Sequence, residues 1–167
     1  MSLSSLTKSD LTNGNRPILI AGGVSLLLIL GAFGFEYIGG LAPCKLCLTQ
    51  RMPHYGLIAL AALSLAIPKP QIILRSLAAL CAIATSAVGV QHVGVEQGWW
   101  QGPQGCSAQI GNSDLASLTD ALLATPVVRC DEIAWSLMGI SMAGWNAIIS
   151  AAMAGFLVYS LYRLKKG

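Results

Sequence analysis

Residues 18–35 read ILIAGGVSLLLILGAFGF, an apolar run without an acidic or basic side chain. Two more runs, 76–91 and 133–162, are equally free of charge, and a fourth, 52–67, carries only His54. A helix needs about 20 residues to cross a hydrocarbon core of about 30 Å. The pattern therefore predicts an all-α membrane protein, a bundle of four transmembrane helices over 17–38, 49–67, 72–96 and 138–162.

The composition supports the same class. The chain has 167 residues, of which 54% are hydrophobic and 10% charged, whereas soluble domains average about 25% charged residues. We expect the first run to remain a span, because no small-residue cleavage site follows Glu36 before the next run. The whole chain, 1–167, is then a single four-helix membrane domain with outer loops at 39–48 and 97–137.

The basic residues predict the orientation of these helices. Seven of the ten lysines and arginines fall on one side, which the positive-inside rule makes cytoplasmic. Both termini would then be cytoplasmic and both outer loops would lie on the opposite side of the membrane, which the resemblance described below implies to be the periplasm. No basic stripe lies away from the membrane ends, which argues against a nucleic-acid interface. The seven are Lys8, Arg16, Lys69, Arg75, Arg163, Lys165 and Lys166.

Four of the five cysteines fall in the predicted outer loops, which indicates an oxidising compartment. Cys44 and Cys47 form a CxxC pair in the first loop, and Cys106 and Cys130 lie in the second. Three disulfide connectivities are open, and the cysteines alone also allow two structural staples or a metal site. A two-residue CxxC loop constrains little chain entropy, which disfavours a staple. The 23 residues between Cys106 and Cys130 disfavour a zinc site of two short knuckles, so no metal ligand is predicted. Cys81 is expected to be a small buried hydrophobe.

A redox role for the CxxC pair has a physical basis. A helix N-terminus and a nearby cation both favour a thiolate, and Cys47 precedes an apolar helix with Arg51 close behind. Pro53 is tolerated only in a first turn, which predicts a helix start between residues 48 and 50. Arg51 would then lie near Cys47, but the two would not stand one turn apart on the same face of a helix. His54 and His92 are candidates to line a quinone pocket or to pass protons. A solvated or hydrogen-bonded role near the interface is the alternative, and His92 could pair with Glu96, four residues on.

The second outer loop has an internal pattern of its own. Helix-start residues at 112–114 precede Leu115, Leu118 and Leu122 at helical spacing, and Pro126 ends the pattern. This predicts a short amphipathic helix on the membrane surface or packed on the bundle. Cys106 follows the flexible stretch 102–105, which suits the sulfur-to-sulfur approach of disulfide exchange. Because no haem, flavin or nicotinamide motif occurs, a membrane quinone is the acceptor favoured by elimination.

At these residues the chain resembles the DsbB family, bacterial inner-membrane oxidases of the thiol oxidase DsbA. The resemblance rests on four spans, a P-C-x-x-C-x-x-x-R segment from Pro43 to Arg51, a long outer loop with two spaced cysteines, and the run WSLMGISMAGWN at 135–146. It implies an enzyme, a quinone-dependent protein-disulfide oxidoreductase that uses ubiquinone or menaquinone. It also implies a periplasmic DsbA-like partner.

The resemblance also implies roles for single residues. Cys44 and Cys47 would be the quinone-coupled pair, with Cys47 engaging the quinone and Arg51 helping to hold it. Cys106 would form the mixed disulfide with the partner and Cys130 would resolve it, and a Cys44–Cys106 disulfide would link the two pairs. Gln50 stands where some members have an acidic residue.

Two other functions stay open, namely a non-enzymatic four-span scaffold with disulfide-stapled loops and a metal-handling membrane protein.

Overall fold

The structure, a computed structural model, describes residues 14–67, 71–103 and 128–166, and it is mostly helical. Its helices are α1 (Arg16–Phe33), α2 (Lys45–Ala66), α3 (Gln71–Glu96) and α4 (Met142–Lys166). A π-helical turn, Gly34–Ile38, extends α1, and strands β1 (Ser136–Leu137) and β2 (Ile140–Ser141) precede α4. The predicted amphipathic helix and Cys106 lie outside the described residues.

Three helical segments are long and apolar enough to cross a membrane: Arg16–Ile38, Gln71–Glu96 and Met142–Lys166. The first two agree with the predicted spans 17–38 and 72–96. The third lies four residues further along the chain than the predicted span 138–162. The α2 helix has sufficient length, but Lys45, Gln50, Arg51 and His54 lower its apolar character, and it is not one of the three. A span over 49–67 therefore stays a prediction.

The helices pack as neighbours along the chain, α1 on α2, α2 on α3, and α3 most extensively on α4. Small residues fill the buried positions, while Leu27, Leu65 and Leu80 are largely exposed. A Cβ on Gly22 would overlap the Ala61 methyl group, and one on Gly89 would lie 3.0 Å from the Ala147 Cβ. Close helix contact through small residues with large apolar side chains outside is typical of membrane helices.

The predicted start of α2 was wrong, because the helix begins at Lys45 and Pro53 lies inside it. Cys44 is the N-cap, and its sulfur accepts a hydrogen bond from the Cys47 backbone N–H at 3.2 Å. Proline costs a helix one backbone hydrogen bond and crowds the preceding turn. The carbonyl that loses its N–H partner is that of Thr49, four residues before Pro53. In the same turn the Thr85 hydroxyl of α3 donates to the Gln50 carbonyl at 3.2 Å, so a neighbouring helix contacts the backbone beside the proline.

The predicted start of the last helix, residue 138, was also wrong. Residues 136–141 form a β-hairpin, and its turn residues Met138 and Gly139 have φ of 54° and 77°. Positive φ at both central positions characterises the tightest hairpin turns. Ser141 then caps α4 by accepting from the Gly144 backbone N–H at 3.1 Å. The hairpin therefore shortens the helix and fixes Ser141 beside α3.

At the opposite end of the bundle, a fully buried Arg75 joins three elements. Its guanidinium donates to the Ser160 carbonyl of α4 at 3.0 Å and to the Gly14 carbonyl before α1. These bonds place the start of α1, the start of α3 and the end of α4 at one end of the molecule. Cys44, His92 and Ser141 lie at the other end.

Candidate redox site

The CxxC pair lies at the N-terminus of α2 with its two sulfurs close together. Both thiols are free, and the Cys44 Sγ lies 3.0 Å from the Cys47 Sγ, to which it donates. Cys44 is buried and Cys47 is half-buried. A free pair at this separation needs only a small approach of the two sulfurs to form a disulfide, so the geometry is that of a reduced dithiol.

The two thiols have opposite acidities. The hydrogen bond from the Cys44 thiol, together with a hydrogen bond from the Cys44 backbone and the charge of Arg51, lowers the pKa of Cys47 to about 7 against the opposing effect of burial. The pKa of Cys44 is raised, first by its bond to Cys47 and then by burial. Cys47 is therefore the thiolate near neutral pH, and Cys44 holds the proton between them.

A third cysteine lies against this pair. Cys130 is fully buried and packs in one cluster with Cys44, Leu46 and Val95. It is engaged in a disulfide. A backbone hydrogen bond also joins Cys130 to His92. The structure thus brings Cys130, from the segment between α3 and α4, to the CxxC pair, and Cys106 lies outside the described residues.

A chain of buried polar side chains runs from the dithiol into the bundle. His92 Nε2 lies 3.6 Å from the Cys44 Sγ, and His92 Nδ1 lies 2.7 Å from the Gln50 Nε2. The Gln50 Oε1 accepts from the Asn146 amide at 2.6 Å, and the Asn146 Oδ1 lies 2.8 Å from the His54 Nε2. His54 ends the chain with Nδ1 3.0 Å from the Ser25 hydroxyl. We call this chain from His92 to Ser25 the polar relay.

The polar relay fixes hydrogen positions. Because the Asn146 Oδ1 can only accept, His54 carries its proton on Nε2 and accepts from Ser25 at Nδ1. The Gln50 amide, which accepts from Asn146 at Oε1, donates to His92 Nδ1 through Nε2. His92 then carries its proton on Nε2, the atom that faces the Cys44 sulfur.

Arg51 is held at the edge of the site by α1. Its guanidinium donates to the Glu36 Oε2 at 2.6 Å and lies 5.1 Å from the centre of the Phe33 ring. The π-helical turn at the end of α1 carries Glu36. With α2 beginning at Lys45, Cys47 and Arg51 are four residues apart in one helix and so share a face.

These groups border an apolar cavity of about 290 Å³ between α1, α2 and α4. Its polar margin includes Cys47, Arg51 and His92, and aromatic side chains of Trp135 and Trp145 contribute to its wall. An apolar chamber with a few convergent polar groups is typical of a small-molecule site. A quinone fits this donor set, because its ring and isoprenoid tail are apolar and its two carbonyl oxygens accept hydrogen bonds.

The structure thus brings together Cys44, Cys47, Cys130, Arg51 and His92, and it places His54 at the far end of the relay, also on the cavity wall. Sequence reasoning missed Glu36 and Asn146, and noted Gln50 only as a departure from a pattern. Each carried a signal, because a polar side chain within or at the end of an apolar run needs a partner. Cys81 is half-buried against the core and remote from this cluster.

Comparison with known proteins gives this geometry a family. A family model described as disulfide bond formation protein DsbB matches residues 15–160. The chain belongs to the DsbB family. Its disulfide-forming membrane character accords with the free dithiol and with the three long apolar helices.

Individual relatives agree with the family match. Disulfide bond formation protein B 2 of Pseudomonas putida is 32% identical over 143 residues, which cover 78% of this chain and 80% of the relative. Disulfide bond formation protein B of Stutzerimonas stutzeri is 30% identical over 83% of this chain and 89% of the relative. No solved structure matches the chain significantly. As a DsbB family member the chain is a membrane disulfide oxidoreductase.

Proposed function

We propose that this DsbB family member is a thiol oxidase that reoxidises a periplasmic DsbA-like protein and passes the electrons to ubiquinone or menaquinone. The observation that carries the proposal is the position of Cys47. Its thiolate lies 3.0 Å from the Cys44 sulfur and also borders the apolar cavity with Arg51 and His92. One atom thus faces both a dithiol partner and a chamber suited to a lipid-soluble acceptor.

The first half of the reaction oxidises the CxxC pair. A bound quinone would supply an acceptor for two electrons and two protons, so that two thiols and one quinone give one disulfide and one quinol. Arg51, held by Glu36, is placed to orient a carbonyl oxygen through its guanidinium. Cys44 gives up its proton as its sulfur bonds to Cys47, and the N–H at His92 Nε2, 3.6 Å away, faces that sulfur and orients it.

The second half is disulfide exchange with the other cysteine pair. In the family pattern Cys106 attacks Cys44, and Cys47 leaves as the thiolate. A leaving thiol with a low pKa leaves faster. Cys44 has no S–H to donate once it is bonded to Cys106, and the charge of Arg51 still favours the Cys47 thiolate at that step. Cys130 then attacks the Cys106 sulfur of the Cys44–Cys106 disulfide and Cys44 leaves, so a Cys106–Cys130 disulfide forms. A thiol of the reduced DsbA-like protein attacks Cys106 of that disulfide and Cys130 leaves; the partner's second thiol then releases Cys106, so the partner gains a disulfide as Cys106 and Cys130 are reduced. The burial of Cys130 against Cys44 supports this order, because resolution needs these sulfurs at short range.

The sidedness of the molecule supports a periplasmic site. The start of α1 and the end of α4 share one end of the bundle with Arg75, and basic residues concentrate there. The dithiol, His92 and Cys130 lie at the opposite end. We propose on the positive-inside rule that the basic end and both termini are cytoplasmic.

The test is quinone reduction by the purified full-length protein. Reduced DsbA-like protein and a ubiquinone or menaquinone analogue are mixed with the protein in detergent, and quinone absorbance is followed. We expect turnover that Cys44→Ser and Cys47→Ser abolish. Cys81→Ser is the matched control, because this free thiol is remote from the site, and it should keep full activity.

Two outcomes would overturn the proposal. Absence of quinone reduction by the wild-type protein, or full activity after Cys44→Ser, would favour the scaffold alternative. In a separate arm, a membrane-impermeant maleimide is applied to cells carrying one cysteine placed at Gly167 or at Gln101. Labelling at Gln101 alone is expected, and labelling at Gly167 alone would reverse the orientation.

A further inference from the structure

We propose that the reduced Cys44–Cys47 pair, His92 and Glu96 form a binding site for a thiophilic divalent cation such as Zn²⁺, and that this metal and the quinone exclude each other. Metal binding is inferred from the positions of the described side chains alone. The exclusion of the quinone rests on the function proposed above. Such a site would make the reduced enzyme subject to reversible inhibition.

The spacing of three donor atoms suits a tetrahedral metal. The two sulfurs and one nitrogen of Cys44, Cys47 and His92 all lie within 4.8 Å of one another. Zinc bonds of about 2.3 Å to sulfur and 2.0 Å to nitrogen put neighbouring sulfur and nitrogen ligands roughly 3.6 Å apart. The Cys44 Sγ and His92 Nε2 are separated by 3.6 Å. The two sulfurs, at 3.0 Å, need to open by under about 1 Å.

We assign Glu96 as the fourth donor, and its carboxylate must move toward the two sulfurs to bind the same ion, because the donor atoms that already lie within 4.8 Å of one another are those of Cys44, Cys47 and His92. Its side chain is 5% exposed, and its Oε1 lies 3.9 Å from the His92 Nε2. The Ser141 hydroxyl donates to the other oxygen, Oε2. A carboxylate buried against a dithiol and an imidazole, without an arginine or lysine ion pair among the described residues, gains a cationic partner when a metal binds.

His92 already has the outer contact that a metal-bound histidine requires. A metal on Nε2 places the proton on Nδ1, which must then be donated to an acceptor. Gln50 lies 2.7 Å from Nδ1 and presents its oxygen there after a half-turn of its amide. Asn146, which is also an amide, can turn with it. His54 then accepts from Asn146 at Nε2 and donates from Nδ1 to the Ser25 hydroxyl, so the polar relay is satisfied with its direction reversed.

Binding is balanced by proton release and depends on the redox state. Two thiolates bind the metal, so the protons that remain on the pair pass to solvent. The disulfide form of the pair offers no thiolate and cannot bind. Cys47 and His92 also border the apolar cavity. A metal held between them therefore removes the groups that would meet a quinone.

The test uses Co²⁺ and Zn²⁺ alone on the full-length protein in detergent. A Cys81→Ser/Cys106→Ser/Cys130→Ser background leaves the CxxC pair as the remaining thiols. After reduction with a phosphine, Co²⁺ should give a near-ultraviolet thiolate charge-transfer band at one metal per chain, and Zn²⁺ should displace it. His92→Gln and Glu96→Gln should each weaken Zn²⁺ binding at least tenfold, while Glu132→Gln, an exposed carboxylate control, should not.

Several results would overturn the site. These are the absence of a thiolate band, equal affinity after His92→Gln, or equal binding by the disulfide form. In wild-type protein, Zn²⁺ should slow quinone reduction and a chelator should restore it. Tight Zn²⁺ binding without inhibition would overturn the mutual exclusion. A protein that binds Zn²⁺ but reduces no quinone even with chelator would refute the proposed function and leave the metal site standing.

Discussion

The Gln50 side-chain amide lies 2.7 Å from Nδ1 of His92 and joins this histidine to Asn146 of α4. Three helices therefore meet at one amide beside the dithiol. A glutamine can both donate and accept, which lets it bridge a histidine and an asparagine that each need a partner. The orientation of His92 toward the Cys44 sulfur depends on this bridge.

Replacing Gln50 with leucine should destabilise the protein and misplace His92. The change leaves His92 Nδ1 and the Asn146 amide buried with lost bonds, which costs about 1–3 kcal/mol in the free energy of unfolding. The rate of quinone reduction should also fall, because His92 is misplaced. Thermal unfolding in detergent measures the first effect. Thr49→Ala, an exposed neighbour whose hydroxyl bonds to the Lys45 carbonyl, is the control, and a leucine variant as stable as wild type would contradict the bridge.

A second prediction concerns the Arg51–Glu36 ion pair at 2.6 Å, whose side chains are 11% and 20% exposed. Glu36→Gln removes the charge that holds the guanidinium at the cavity edge. A partly buried pair of this kind contributes about 1 kcal/mol, so we expect the KM for quinone to rise about fivefold with kcat little changed.

A double-mutant cycle separates positioning from simple charge loss. Glu36→Gln should have little further effect in an Arg51→Gln background, because Glu36 acts through Arg51. Glu132→Gln serves as the remote control. Additive effects of the two substitutions on KM would show that Glu36 contributes independently of Arg51.

The sequence predicted the features that depend on local interactions and missed those that depend on contacts between distant residues. The spans at the start of α1 and along α3 agree with the structure within one residue, because hydrophobic length alone defines them. Pro53 misled the prediction for α2, since contacts that hold the proline-containing turn come from another helix, such as the bond to Gln50 from Thr85, thirty-five residues away. The hairpin before α4 was missed because its strands are two residues long.

The candidate site likewise combines local features, which the sequence could predict, with long-range contacts, which it could not. The cysteines and Arg51 stand in one short segment or in spaced pairs, which a sequence pattern can reveal. The polar relay instead joins residues 42 and 96 positions apart, from Gln50 to His92 and to Asn146. Only packing places them together, and a lone polar residue in an apolar run indicates a need for a partner without identifying it.

Helix packing offers a third prediction with an adjacent control. An added methyl group on Gly22 would overlap the Ala61 side chain, whereas one on Gly23 meets nothing within 4 Å. Gly22→Ala should therefore lower the free energy of unfolding by about 1–3 kcal/mol through forced separation of α1 and α2. Gly23→Ala should be neutral or stabilise by up to about 1 kcal/mol, because alanine favours helix. Thermal unfolding compares the two, and equal stability would argue against close contact at Gly22.

The final prediction concerns the pH dependence of the reduced CxxC pair in chelator-treated protein. Because the pKa of Cys47 is lowered to about 7, its alkylation by iodoacetamide should rise with pH and reach half its maximal rate near pH 7. Cys44, whose pKa is raised, should react slowly across this range. Peptide mass spectrometry of a pH series measures each rate separately.

The variants then test the causes of the shift. Cys44→Ala removes the S–H donor, the largest cause, and should move the Cys47 midpoint upward toward the ordinary value of about 8.5. Arg51→Gln should move it in the same direction by less, because the charge of Arg51 is a smaller cause than the bond from Cys44. Cys81→Ser should leave the midpoint unchanged. A midpoint that stays near 7 after Cys44→Ala would show that the neighbouring thiol does not stabilise the Cys47 thiolate.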